Sequence, residues 1–131
     1  MIVYKVVSKD NGGRRSAIQR VDSTVLHYTK GETTIPEFGK VFAFSDFESA
    51  DRWARHCHEI WECEAPDAVL APSMVAVDGQ EHQKETFVLW WELFEAGASP
   101  TVSTMHAPSG TVLCSEIKLT RLSRKEKRWE R

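Results

Sequence analysis

The chain has 131 residues, of which 41% are hydrophobic and 27% charged, and its net charge is −2. One domain over residues 1–131 is the expected organisation, because a chain of this size buries about two thirds of its unfolded surface and needs no disulfide or metal to fold. The composition excludes a disordered chain, and the mildly acidic balance excludes a dedicated nucleic-acid surface, which would need a broad basic face.

The charge is uneven. Lys118 to Arg131 holds seven basic residues against Glu126 and Glu130, a net of +5, so the rest of the chain carries −7. The end of this stretch, residues 123–131, reads as a basic, flexible tail. Cys57, Cys63 and Cys114 make an odd number without repeated spacing, which fits a reducing compartment rather than a disulfide framework. Met1-Ile2-Val3-Tyr4-Lys5 lacks the basic start of a signal peptide, and the longest apolar run, Phe87 to Trp91, is too short to span a bilayer. A cytoplasmic location without membrane contact is the expectation.

In chain order, Ile2 to Val7 is β-branched and apolar and predicts a first strand, followed by a tight turn at Asp10-Asn11-Gly12-Gly13. Ser16–Val21 and Thr24–Thr29 read as extended, and Lys30-Gly31, Pro36 and Gly39 mark a loop. Val41 to Phe44 is a short strand. Ser45 then reads as an N-cap with Glu48 completing a capping box, and Phe47, Ala50, Trp53, Ala54 and Cys57 recur at helical spacing. That predicts a helix from about Asp46 to Cys57. Ile60 to Ala65 alternates as a half-buried strand with Glu62 and Glu64 outward. Met74 to Val77 reads as a strand. Phe87, Trp90, Trp91 and Phe94 fit a helix over Glu81–Ala96 with Gly97 as its C-cap, although the same aromatics suit a strand over Phe87–Leu93. Ser99–Gly110 reads as a loop, and Thr111–Cys114 and Ile117–Leu122 as late strands. The expected architecture is α+β: a single mixed, largely antiparallel sheet with two helices packed on one face.

Chemistry-bearing residues are sparse. His56 and His58 point to nearly opposite sides of a helix, so the segment His56-Cys57-His58 is not expected to hold a metal, and the three thiols fall on faces expected to be buried and inert. No nucleophile elbow, phosphate-binding loop or dinucleotide fingerprint occurs. Arg14 and Arg15, after Gly12-Gly13, offer guanidinium groups to a phosphate, or are simply solvated arginines in a hairpin turn. Tyr28 and Lys30 lie beside them in the early loops, and Trp90 or Trp91 would supply a stacking face, or else belong to the core or an interface.

Leu26-His27-Tyr28-Thr29, followed by Phe42-Ala43-Phe44-Ser45 through Ala50 and Trp53-Ala54 and then Ile60-Trp61-Glu62-Cys63, resembles the middle of the ADP-ribosyltransferase superfamily. That resemblance implies NAD as cofactor, His27 gripping the dinucleotide and Glu116 as the late glutamate. Tyr28-Thr29-Lys30-Gly31, the Phe-rich strand with its Ala-containing helix, and Gly110-Thr111-Val112 are also similar to small bacteriophage proteins. This second resemblance implies an anti-defence role in which a nucleotide signal is bound and not cleaved. The leading expectation is therefore a non-catalytic protein, without cofactor or metal, that sequesters a small anionic ligand such as a nucleotide through Arg14, Arg15, Tyr28, Lys30, Trp90 and Trp91. The alternatives are an NAD-using transferase built on His27 and Glu116, and a protein–protein adaptor; a homo-oligomer is compatible with each.

Overall fold

A computed structural model describes residues 1–10, 13–16, 27–36, 40–71, 74–76, 91–92, 95–97 and 104–125. The fold is α+β and its sheets are antiparallel at every described pairing.

The first strand, β1 (Ile2–Asp10), is the long central element of a nine-stranded sheet. The others are β2 (Gly13–Ser16), β3 (His27–Tyr28), β4 (Thr33–Thr34), β5 (Val41–Phe44), β6 (His58–Glu64), β7 (Val69–Leu70), β10 (Thr111–Cys114) and β11 (Ile117–Arg124). A separate ribbon pairs β8 (Met74–Ala76) with β9 (Thr104–His106). One path through the large sheet runs β4-β11-β6-β1-β5-β10-β7, and β2 adds to β1 and carries β3 on its other side.

This order forces the sheet to curl. Laid flat, β3 and β4 would stand five strand spacings apart, about 24 Å. Yet Tyr28 and Thr33 are joined by a stretch of chain that reaches at most about 18 Å. The link is a turn in which the Glu32 N–H donates to the Thr29 carbonyl at 3.1 Å and Gly31 takes φ +82. That is the left-handed position of a type II turn, which glycine occupies without steric cost. The Gly31 N–H then donates to the Leu119 carbonyl of β11 at 2.9 Å and fastens the closure.

Period-2 alternation divides the side chains between the two faces of this curl. Val3, Val7, Tyr28, Val41, Ala43, Trp61, Cys63, Val112, Cys114, Ile117 and Leu119 form the larger core on the concave face. Val6, Phe44 and Ile60 face the other way and are covered by α1 (Phe47–Trp53), whose Ala50 is fully buried among them. Tyr4 meets Phe47 edge-on at 6.0 Å, and Phe44 meets Trp53 at 5.7 Å.

Several expectations are corrected. Asp46, not Ser45, caps α1: its carboxylate accepts from the Ser49 N–H at 2.8 Å and the Ser49 hydroxyl at 3.0 Å. Ser45 stays at the strand end because its N–H is bound to the Gly110 carbonyl at 2.8 Å. The helix stops at Trp53, since Ala54 is extended and the chain from His58 onward is claimed by the β1–β6 ladder. Cys57 consequently lies outside the helix and is exposed. Among the described residues one helix is complete, rather than two. Trp91, Glu92 and Glu95 are helical and the Ala96 N–H donates to the Glu92 carbonyl, but residues 81–90 lie outside the described residues. The sheet is antiparallel throughout rather than mixed, and β9 falls within a segment that reads as loop. Finally, β11 continues through Ser123 to Arg124, into the stretch expected to be a free tail.

Candidate functional site: a basic corner around Tyr28

The first three strands form a meander whose register gathers positive charge. Lys9 stands opposite Arg14, and Arg14 stands opposite Tyr28 on its other side. Arg15 is likewise held between Ser8 and His27. Residues directly opposite in an antiparallel pair are the closest neighbours a sheet provides, so the ladder sets Arg14 at the register position of Tyr28 and Arg15 at that of His27, on successive rows that alternate between the two faces of the sheet. Lys30 is exposed in the turn immediately after β3.

Tyr28 links this corner to the interior. It is buried in the concave core, and the Lys5 ammonium lies 5.8 Å from its ring centroid, within cation–π range. Lys5 occupies an inward position of β1, between Val3 and Val7, and is only 8% exposed. Its Nζ donates to the Phe42 carbonyl of β5 at 2.6 Å. Burial pulls the amine down from 10.5 to about 8, opposed by the neighbouring Cys114 and Cys63 sulfurs. The thiols move the other way: burial pushes Cys63 up to about 12 and Cys114 up to about 11. The Cys63 thiol also donates to the Trp61 carbonyl at 3.3 Å. Both thiols are therefore protonated at neutral pH and are poor nucleophiles.

The sequence carries one signal for Lys5. In Ile2-Val3-Tyr4-Lys5-Val6-Val7 the residues at 3, 5 and 7 share a face, so a charged residue between two inward valines is an anomaly.

The remaining candidates lie elsewhere. Trp91 is buried with its ring 5.6 Å from that of Phe42, and Trp90 lies outside the described residues. Glu116 is half-buried and borders an open groove of about 360 Å³ with Met1, Thr33, Glu64 and Lys118. The register sets His27 opposite Arg15. No group of three or more metal-ligating side chains occurs among the described residues. His56 is exposed, while His58 is buried at the start of β6, where its Nδ1 accepts the Arg55 N–H at 3.1 Å.

The cations of β11 are already engaged. Lys118 pairs with Glu64 at 3.6 Å, Arg121 with Glu62 at 3.3 Å and Arg124 with Asp51 at 2.8 Å. Arg124 also donates to the Arg55 carbonyl and, at 3.1 Å, to the His58 carbonyl, so it ties β11 to the chain leaving α1. No described helix is long and apolar enough to cross a membrane. No protein-family model, curated protein or solved structure matches this chain.

Proposed function

We propose that the protein binds a small anionic ligand, with a nucleotide as the leading class, and holds it without turnover. The observation that carries this reading is the register of β1, β2 and β3, which sets Arg14 beside Tyr28 and Arg15 beside His27. Guanidinium groups offer paired donors to phosphate, and an aromatic neighbour suits a base. The basic residues of β11 compete poorly for the same ligand, since Lys118, Arg121 and Arg124 have carboxylate partners. Binding without chemistry is supported by the protonated state of the buried thiols, which removes Cys63 and Cys114 as nucleophiles. A protein of this kind acts by lowering the free concentration of its ligand, as in the sequestration of a nucleotide signal by a bacteriophage anti-defence protein.

Thermal-shift measurements against a panel of mono-, di- and cyclic nucleotides and NAD test the proposal, because a ligand that binds the folded state raises its apparent stability. A specific shift is expected for at least one compound. Calorimetry with that compound should show Arg14→Ala, at the register position of Tyr28, weakening binding by about 1.5–3 kcal/mol, the worth of a hydrogen bond to a charged group, and Arg15→Ala, on the alternate row, weakening it less. No shift with any compound would overturn the proposal. Release of nicotinamide from NAD would replace it with the transferase reading, in which His27 and Glu116 take the site.

A further inference from the structure

The face of the sheet that carries α1 is covered at one end only. Val6, Phe44 and Ile60 lie under the helix, with Tyr4 packed beside them. The same parity on β1 leads back to Ile2, which is 46% exposed. The ladders set Ile2 opposite Glu64, Glu64 opposite Lys118 and Lys118 opposite Thr33, so one row of side chains crosses β1, β6, β11 and β4 on this bare end. All four border the open groove of about 360 Å³, together with Met1 and Pro66. Met1, Ile2 and Ile35, which follows directly on β4, are three of the five large hydrophobic side chains exposed among the described residues. The exposed apolar surface is therefore concentrated here, and a patch of this kind rimmed by polar residues marks an interaction site.

The groove is also negative. It sets Glu64 and Glu116 against Lys118 alone, and Lys118 is already paired with Glu64 at 3.6 Å. A fitting occupant has an apolar body and positive charge. The chain carries such a segment beyond its described residues: 126–131 hold Lys127, Arg128 and Arg131 against Glu126 and Glu130, with Trp129 among them. The groove of the same copy is out of its reach. β11 begins at the groove and ends at Arg124, which is held by Asp51 and by the Arg55 and His58 carbonyls. Lys118 and Arg124 stand about 20 Å apart along the strand. The chain from Arg124 to Trp129 extends to at most about 18 Å, and part of that is spent in reversing direction.

We infer that the groove receives the 126–131 segment of a second copy of this chain, with Trp129 against its apolar wall and the flanking arginines at Glu116. The contact is head-to-tail, because each copy gives a segment and offers a groove, and such contacts build rings or open chains. None of the residues assigned to anion binding takes part, so the two readings stand or fall separately.

Sedimentation velocity of the full chain over a concentration series, at low and high salt, tests the inference. The expected result is a mass that climbs with concentration and falls as salt screens the charges. Trp129→Ala and, separately, Glu116→Lys should each raise the dissociation constant by about tenfold or more, as loss of an interface anchor does. Mixed together, the two variants should form pairs and nothing larger, since each pair retains one intact groove and one intact segment. That pairing also shows that both variants are folded. A synthetic peptide of residues 125–131 added to the Trp129→Ala protein should shift the amides of Ile2, Glu64 and Lys118 in NMR spectra. A monomer at every concentration would overturn the inference, as would association that survives both substitutions or peptide shifts that map away from this row. A scrambled peptide that binds equally well would overturn it too, by marking the groove as a general site for basic segments.

Discussion

The backbone N–H of Arg55 donates to Nδ1 of His58 across the tight connection between α1 and β6, at 3.1 Å. That bond requires the neutral imidazole with its proton on Nε2. The ring also stacks on Trp53, with centroids 6.3 Å apart. Burial, and then the positive charges of Arg55 and Arg124, hold His58 below its ordinary value of 6.5.

Acid should therefore destabilise the protein through His58. The unfolded chain takes up the proton near pH 6.5, before the folded protein does, so stability present above 6.5 is lost as pH falls below it. Denaturant melts at pH 7.5, 6.5 and 5.5 should show a falling midpoint. In His58→Phe, which keeps the ring against Trp53 and cannot protonate, the fall over this range should be smaller.

Lys5 should make stability rise with alkali. Its folded value of about 8 lies below the ordinary 10.5, so between these the unfolded chain binds the extra proton and folding gains as pH increases. The gain is at most about 1.4 kcal/mol over the first unit above pH 8. Above pH 9 the Cys63 and Cys114 thiols oppose it, because their raised values make the unfolded chain lose its protons first. Urea midpoints should climb above pH 8 and turn over near pH 9, where two thiols begin to outweigh one amine. Lys5→Met should show no climb.

Gly110 is expected to be intolerant of any side chain. It takes φ +86, and a Cβ there would stand 2.5 Å from the Ser49 hydroxyl oxygen and 2.8 Å from the Ser49 Cβ. Gly110→Ala combines left-handed strain with overpacking and should cost about 2–4 kcal/mol. Adding Ser49→Gly removes the obstructing atoms and should recover part of the loss, a non-additivity that a double-mutant cycle of thermal melts would measure.

Asp46→Ala should lower the melting temperature more than Ser45→Ala does. Asp46 satisfies the Ser49 N–H directly, whereas the Ser45 hydroxyl only donates to the Asp46 carboxylate at 3.2 Å. The Ser49 N–H, followed by the Ser49 hydroxyl, lowers the Asp46 value below 3.8, so this contribution persists above pH 3.8 and fades as acid protonates the cap. Equal melting temperatures for the two variants would contradict the assignment of the cap.

The strands β1, β5, β6, β8 and β10 were legible in the sequence because β-branched and aromatic residues alternate or cluster there between turn residues. The α1 segment was also legible as a helix, but not its limits. Ser45 and Asp46 are both good caps, and the choice between them was made by Gly110, sixty-odd positions away, which takes the Ser45 N–H. The end of α1 was likewise set by β1, whose Ser8 pairs with His58. The two-residue strands β4 and β7 have no periodicity to read, and β9 exists only through its pairing with β8. Of the candidate site, Arg14, Arg15 and Tyr28 stand out in the sequence beside their turns, and the ladder that sets Arg14 opposite Tyr28 and Arg15 opposite His27 depends on a pairing the turns alone do not reveal. Lys5 is harder to read, because a single lysine in an apolar run does not reveal whether its strand lies at the edge or, like β1, in the middle of the sheet.

The closed curl also bears on how quickly the native state is reached. The neighbour of β1 on one side, β6, lies about half the chain away, and β11, the next strand beyond it, lies about as far again. Such pairings cost loop-closure entropy before their contacts reward it, and proteins dominated by them fold in milliseconds to seconds rather than microseconds. The short β1–β2 hairpin and the α1 turn can form early, but neither buries the concave core. Until β6 and β11 dock, the inward residues of β1, Lys5 among them, remain in water. The cost of burying that ammonium is therefore incurred late, at the step that joins distant parts of the chain.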